Sequence, residues 1–310
     1  MNEKIIERAV SFGINRSLIG IATEPAHPVA GLPKLVAING GILPRSGRAR
    51  IYVTLSRRLA SLGYSVLRFD MSGIGDSLSR GDGLPPIEAA IQDIKEALDW
   101  FVGDDGQVVL MGLCDGANLA AHRASIDPRV VGAVLIDPLV PKTQRYRILH
   151  FRRRIVTPTI WQEIVTGTHP VWRAIKMKTM ALLAQDTANA SFDQNDPVVT
   201  EQLREIYQGL VDNEVEVYAI FTGGMQHRHC YREQLLDAFP TIRFTDKFRL
   251  EYFEANDHHF EWPPHRVWLL AAVEGWLTSL SPRKTNVGSI KLPTGGEKGV
   301  IEGRLWNRAT

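Results

Sequence analysis

The chain has 310 residues, a formal net charge of +2, 44% hydrophobic residues and 23% charged residues. This length allows a sizeable core, and the balanced charge gives no argument for nucleic acid or a membrane surface as the partner. Two cysteines are too few for a disulfide framework. The amino-terminal residues lack the apolar core of a secretory signal, and no run approaches the roughly 18 apolar residues that span a bilayer. We therefore expect a cytoplasmic protein.

Apolar runs and helix-like segments alternate along most of the chain. Short apolar runs bounded by turn residues predict strands, and apolar residues at helical spacing predict the helices between them. The predicted strands lie within residues 5–24 (two strands), 34–40, 64–70, 107–113, 130–140, 214–224 and 249–260, and the predicted helices within residues 47–63, 85–102, 117–126, 231–239 and 265–280. This order predicts an α/β fold with a mostly parallel sheet and helices on both faces.

The alternation is interrupted between residues 141 and 212, where the sequence has helix-like pieces and no convincing strand. An insertion of this kind predicts a helical cap over the sheet, with the core formed by residues 1–140 and 213–280. Residues 281–310 are polar and rich in Gly, Lys and Arg. This composition predicts a flexible tail.

The sequence GLCDG, residues 112–116, joins a predicted buried strand to a predicted helix. The pattern G-x-nucleophile-x-G is typical of a sharp strand-to-helix turn, in which glycines avoid clashes with the strand and the helix. The helix N-terminus favours a thiolate, and the backbone N–H of Asp115 faces a developing oxyanion. Cys114 is therefore a candidate nucleophile; the alternative is a small structural cysteine in a tight turn.

A nucleophilic thiol needs a base, and the base needs an acid that orients it. His258 and His259 follow the last predicted strand, at the same edge of the sheet as the GLCDG turn, and either can take the thiol proton. Asp137 ends the strand that follows the nucleophile helix, and it is the favoured acid. Asp257 and Glu254 are the alternatives.

A second oxyanion donor is expected in the glycine-rich loop after the strand at 34–40, where Gly41 lets the backbone approach a ligand. We expect no metal and no cofactor. The adjacent histidines do not have the spacing of metal ligands on a helix, and the loop with His227, His229 and Cys230 has no evident fourth ligand.

Several longer stretches resemble a known family. From residue 7 to residue 280 the chain looks like an α/β-hydrolase, and more narrowly it resembles the exosortase A system-associated hydrolases, type 1. The matching stretches are GYSVLRFDMSGIGDS (63–77), GLCDGANLA (112–120), HFRRRIVTPTIWQEIVTG (150–167) and ANDHHF (255–260). The resemblance implies an eight-stranded, mostly parallel sheet, a cysteine in the nucleophile turn and His258 as the base. Relatives of this kind often have an acid after the seventh strand, where this chain has Gln226. This difference favours Asp137 as the acid that orients the base.

A cysteine nucleophile passes through a thioester, which water, alcohols, amines and thiols can all attack. Cysteine versions of the fold that resemble this arrangement include dienelactone hydrolases and polyhydroxyalkanoate synthases. We expect an acyl hydrolase or acyltransferase, similar to a thioesterase or esterase. The alternatives are a small-lactone hydrolase of the dienelactone type and a non-catalytic binding protein with this fold.

The predicted cap is strongly basic. From Lys142 to Met180 the sequence has nine Lys or Arg residues and one acid, Glu163. Such a patch attracts an anionic acyl carrier, for example coenzyme A or an acyl carrier protein. The candidate substrate-binding residues are Arg152, Arg153 and Trp161. A solvated basic face is the alternative interpretation.

Overall fold

The computed structural model describes residues 5–156 and 194–280, and this part of the chain contains an eight-stranded sheet. The strands are β1 (Ile5–Phe12), β2 (Leu18–Pro25), β3 (Lys34–Ile38), β4 (Val66–Phe69), β5 (Val108–Leu113), β6 (Val130–Ile136), β7 (Glu216–Thr222) and β8 (Phe248–Phe253). They lie in the order β1-β2-β4-β3-β5-β6-β7-β8. β2 pairs antiparallel with β1 and with β4, and all other pairs are parallel. The predicted mostly parallel sheet is therefore confirmed.

Helices cover both faces of the sheet. They are α1 (Ile51–Ala60), α2 (Pro86–Phe101), α3 (Asp115–Ala124), α4 (Gln144–Val156), α5 (Pro197–Asp212), α6 (Gln234–Ala238) and α7 (Pro263–Ser279). One apolar cluster joins the sheet to α2, α3 and α5, and a second joins its other face to α1 and α7. In the described ranges, no helix combines the length and the apolar character needed to cross a membrane.

The central strands are apolar throughout because both of their faces are buried. In β5, Val108 and Leu110 belong to one cluster, whereas Val109 and Met111 belong to the other. This alternation follows from the two-residue period of a strand. Parallel strands that are covered on both faces consist of continuous hydrophobic runs, so the sequence pattern predicts them directly.

The end of the predicted cap differs from expectation. Helix α5 lies within the predicted cap range of 141–212, yet its buried residues Val199, Leu203, Tyr207 and Leu210 belong to the core cluster that includes α3. It therefore packs as a core helix that precedes β7. Helix α4 also lies in that range, and residues 157–193 of the cap and the predicted tail at 281–310 lie outside the described residues.

The turn between β5 and α3 is tightly packed and strained. Cys114 has φ 56° and ψ −119°, a conformation that costs a non-glycine residue about 1–3 kcal/mol. A Cβ atom on Gly112 would lie 2.1 Å from the carbonyl oxygen of Gly116, and one on Gly116 would lie 2.3 Å from the carbonyl oxygen of Ile38. Both glycines are thus required by backbone contacts that leave no room for a side chain.

We expect the Gly112→Ala substitution to lower the free energy of unfolding by about 3 kcal/mol, because its Cβ overlaps the Gly116 carbonyl in a turn that cannot move away. Urea denaturation followed by circular dichroism measures this. The matched control is Gly275→Ala on α7, where a Cβ has no neighbour within 4 Å. The control should gain about 0.5–1 kcal/mol from its helix position. Equal unfolding midpoints for the two variants would contradict the packing of this turn.

Candidate active site

A buried carboxylate stands at the centre of the site. Asp137 follows β6, and its side chain has 0% exposure. Its Oδ1 accepts a hydrogen bond from the backbone N–H of Thr222 at 2.6 Å, and its Oδ2 accepts one from the Thr222 hydroxyl at 2.6 Å. His258 Nδ1 lies 2.6 Å from the same Oδ2. His229 Nε2 lies 3.0 Å from Oδ1, at ion-pair distance but without the alignment of a good hydrogen bond.

These contacts keep Asp137 ionised. Burial by itself raises the pKa of this carboxyl group, but the contacts with His229 and His258 outweigh it and lower the pKa to about 2. An ionised carboxylate can only accept hydrogen bonds, so Nδ1 of His258 carries the proton that it donates. The other ring nitrogen, Nε2, is left to face the thiol.

His258 connects the carboxylate to the cysteine. It lies in the loop between β8 and α7, its Nδ1 hydrogen-bonds with Asp137, and its ring is close enough to Cys114 for the two groups to interact electrostatically. Burial lowers the pKa of His258, but the hydrogen bonds to Asp137 and Cys114 and the attraction of their charges raise it to about 9. The three predicted residues thus lie together at the carboxyl edge of the sheet, with His258 hydrogen-bonded to Asp137 and interacting with Cys114.

The alternative residues named from the sequence have other partners. Asp257 accepts hydrogen bonds from the backbone N–H of His259 at 3.0 Å and pairs with His265 Nδ1 at 2.8 Å. Glu254 forms an ion pair with Arg153 at 3.0 Å. Burial and the neighbouring His258 charge lower the pKa of His259, which disfavours its protonated form. None of these contacts orients an imidazole toward Cys114.

The two predicted oxyanion donors lie on either side of a close backbone contact. A Cβ on Gly40 would lie 2.6 Å from the Leu113 carbonyl oxygen and 3.3 Å from the Asp115 nitrogen, so the loop after β3 packs directly against the nucleophile turn. Among the described residues, the backbone N–H groups of Gly41 and Asp115 donate to no protein acceptor. Neither N–H group is therefore committed to a protein acceptor, as an oxyanion donor requires.

Two residues of the site were not anticipated from the sequence. Arg228, in the loop after β7, places Nη1 3.9 Å from the Cys114 sulfur. His229 is buried against Asp137 and contacts the ring of Phe221 edge-on. The sequence drew attention to this loop only as a weak metal site, and no motif marks either residue. In the described part of the chain, no group of three or more His, Cys, Asp or Glu residues is arranged to hold a metal ion.

Of the predicted substrate-binding residues of the cap, Arg153 is the one whose side-chain partners the structure describes. Arg153 pairs with Glu254 and donates to the Tyr252 hydroxyl at 3.4 Å, so it is held by β8. Arg152 is exposed, and Trp161 lies outside the described residues. The basic character of the region is partly neutralised in this way, and Arg145 is similarly paired, with Glu233 and Asp237.

Comparison with known proteins agrees with this architecture. Residues 35–282 match the Alpha/beta hydrolase family. The chain belongs to the α/β-hydrolase family. A polyketide transferase, grgF, from Penicillium sp is 30% identical over 119 residues, and this chain covers only 38% of that protein's length.

Solved structures show the same fold at low sequence identity. The α/β-hydrolase GrgF from Penicillium sp. sh18 has a TM-score of 0.52 and 17% identity, with 89% of this chain and 99% of that chain covered. VinJ has a TM-score of 0.53 and 16% identity, with 89% and 99% covered. Proline iminopeptidase from Mycobacterium smegmatis has a TM-score of 0.50 and 17% identity, with 88% and 98% covered. These similarities establish the fold of this α/β-hydrolase and no more.

The raised pKa of His258 predicts a pH-dependent stability. A group whose pKa is 6.5 when unfolded and about 9 when folded stabilises the native state fully below pH 6.5, and this contribution disappears as the pH rises through 9. The stability difference between the parent and a His258→Asn variant should therefore be largest near pH 6 and shrink toward pH 9. Urea denaturation at several pH values measures it.

His259→Asn is the matched control for this titration. Because the pKa of His259 is lowered, its contribution has the opposite sign: it destabilises the folded state as the pH falls below 6.5. The stability of the parent relative to this control should therefore increase with rising pH, the opposite trend to that expected for His258→Asn. A difference for His258→Asn that is constant with pH would show that the His258 imidazole is not held in its protonated form.

Proposed function

We propose that this protein is an acyl hydrolase or acyltransferase that acts through an acyl-cysteine intermediate on Cys114. The observation that carries the proposal is the 2.6 Å contact between buried Asp137 and His258, whose imidazole interacts with a cysteine in a strained strand-to-helix turn. A nucleophile, a base within hydrogen-bond reach and an acid that orients the base are the parts that nucleophilic acyl transfer needs.

In the proposed reaction, Nε2 of His258 takes the proton of the Cys114 thiol. The thiolate attacks the carbonyl carbon of an ester or thioester, and the N–H groups of Gly41 and Asp115 hold the oxyanion. The tetrahedral intermediate collapses, and the alcohol or thiol leaves with the proton from His258. Asp137 stabilises the imidazolium through both steps. A water, alcohol or amine, deprotonated by His258, then attacks the acyl-cysteine and releases the thiol.

Transfer and hydrolysis share this first half, and the acceptor decides between them. The local similarity to a polyketide transferase supports acyl transfer as part of the proposal. The same proposal includes coenzyme A or an acyl carrier protein as the acyl carrier. It also includes placement among the exosortase A system-associated hydrolases, type 1. A cytoplasmic location is also part of the proposal, and it is supported by the fact that both cysteines are free. A helical cap over the site is proposed from the insertion that contains α4.

Brief exposure to a panel of acyl thioesters should leave one acyl group on the parent protein, detectable by intact-mass spectrometry and mapped to Cys114 by peptide analysis. Cys114→Ala should carry none. The matched control is Cys230→Ala, because Cys230 is the other free thiol and only 2% exposed. An adduct that persists in Cys114→Ala would refute the nucleophile. No adduct in the parent, with Cys114 no more reactive than a free thiol, would favour the non-catalytic binding protein.

The role of the acid is tested by Asp137→Asn. The variant keeps the size of the side chain but removes the charge that balances the His258 imidazolium, so the acylation rate of Cys114 should fall about 100-fold or more. Single-turnover acylation quenched at intervals and read by mass measures the rate. Asp257→Asn is the control, because Asp257 pairs with His265 instead, and it should keep the parent rate within a few-fold. A greater loss in the control would reassign the acid.

A further inference from the structure

One cation beside the nucleophile has no carboxylate partner. Arg228 is half-buried, and its Nη1 lies 3.9 Å from the Cys114 sulfur. Within residues 5–156 and 194–280, no carboxylate forms an ion pair with it. Other arginines of this end of the sheet are paired, as Arg153 is with Glu254 at 3.0 Å. A guanidinium is always charged, so partial burial without a counter-ion is unfavourable unless a ligand supplies the anion.

The loop holds Arg228 in a fixed place. Its backbone carbonyl accepts hydrogen bonds from Nε2 of Gln194 at 3.1 Å and Nε2 of Gln234 at 3.0 Å, and both glutamines are buried. Its backbone N–H donates to the Met225 carbonyl at 2.8 Å. The next residue, His229, contacts the triad acid. The guanidinium is therefore presented to Cys114 by a rigid segment that is part of the site.

The charges around Cys114 favour an anion. His258 on one side carries a raised pKa, and Arg228 lies on another side of the sulfur. Asp115 follows Cys114 in the chain, and burial raises its pKa despite the nearby Arg228 and His258 charges, so its negative charge is disfavoured. The pKa of His227 is lowered, first by burial and second by the repulsion of the Arg228 charge. Asp137 balances the charge of His258, so among the described residues Arg228 is the cation beside the sulfur that no carboxylate pairs with.

We propose that Arg228 binds a carboxylate of the acyl substrate, so that preferred donors carry a carboxylate close to the reacting carbonyl, as malonyl thioesters do. This inference rests on the proposed acyl-cysteine function. Because Nη1 contacts the sulfur itself, the group that Arg228 binds must lie within a bond or two of the acyl carbonyl. The planar guanidinium can hold such a carboxylate through two parallel hydrogen bonds. A neutral fatty acyl chain would leave the guanidinium unpaired.

Two alkylating reagents test this without any acyl chemistry. Iodoacetate and iodoacetamide both react by attack of the Cys114 thiolate on the CH₂ carbon, which forms the S–C bond and expels iodide. The two reagents differ in that iodoacetate carries a carboxylate where iodoacetamide carries a neutral amide. The ratio of the two rates cancels the fraction of thiolate. We expect the iodoacetate-to-iodoacetamide ratio to fall about 10-fold in Arg228→Gln and to be partly retained in Arg228→Lys.

The matched control is Arg232→Gln. Arg232 is four residues further along the same part of the chain, is exposed and pairs with Glu233 at 2.8 Å, so its loss should leave the ratio unchanged. Far-UV circular dichroism confirms that each variant is folded. An unchanged ratio in Arg228→Gln overturns the proposal. So does an equal fall of both rates, because Arg228 would then act on the thiol and not on the carboxylate.

Acylation by malonyl and propionyl thioesters of N-acetylcysteamine is the second arm. These donors match in chain length and differ by a carboxylate in place of a methyl group, and the parent should prefer malonyl, with the preference lost in Arg228→Gln. If neither donor acylates Cys114 while the alkylation ratio still depends on Arg228, the acyl-transfer function fails and the carboxylate site stands. If both donors acylate equally in parent and variant, the function stands and the carboxylate site fails.

Discussion

The buried carboxylate of Asp137 links the ends of three neighbouring strands. It follows β6, accepts two hydrogen bonds from Thr222 at the end of β7, and lies 2.6 Å from the imidazole of His258 after β8. An ion without solvent contact is tolerated only where hydrogen bonds and opposite charge replace water. The position of the β7 and β8 loops, the tautomer of His258 and its reach toward the thiol all depend on this one charge being satisfied.

Steric constraint acts at the opposite side of the same site. The turn at Cys114 is strained because β3, β5 and the start of α3 approach too closely for side chains at Gly112 and Gly116. Strain of this kind persists where the surrounding structure fixes it, and such places are commonly functional. The sulfur is thereby held between His258 and Arg228. In the function proposed above, this strained thiol would attack the acyl carbonyl while Arg228 holds the carboxylate of the substrate.

The fold and the turn at Cys114 could be predicted from local sequence. Central strands buried on both faces need uninterrupted apolar runs, and their helices need one apolar face, so the β/α alternation predicted a mostly parallel sheet. The GLCDG pattern predicted the turn because its glycines are demanded by backbone contacts of the turn itself. The boundary of the cap was less accessible: α5 has an apolar face that would suit either a cap or a core, and only its packing against α3 shows which.

What the sequence determined by itself was the layer architecture, the strained cysteine turn and a short set of candidates for the base and the acid. Only the tertiary structure shows which candidates are in contact, because Asp137 and His258 are 121 residues apart and their contact has no local signature. In the sequence Asp257 and Glu254 are carboxylates as suitable as Asp137, but in the structure Asp257 pairs with His265 and Glu254 pairs with Arg153. Arg228 stands in no motif, and only the folding of the loop after β7 brings its charge to the sulfur.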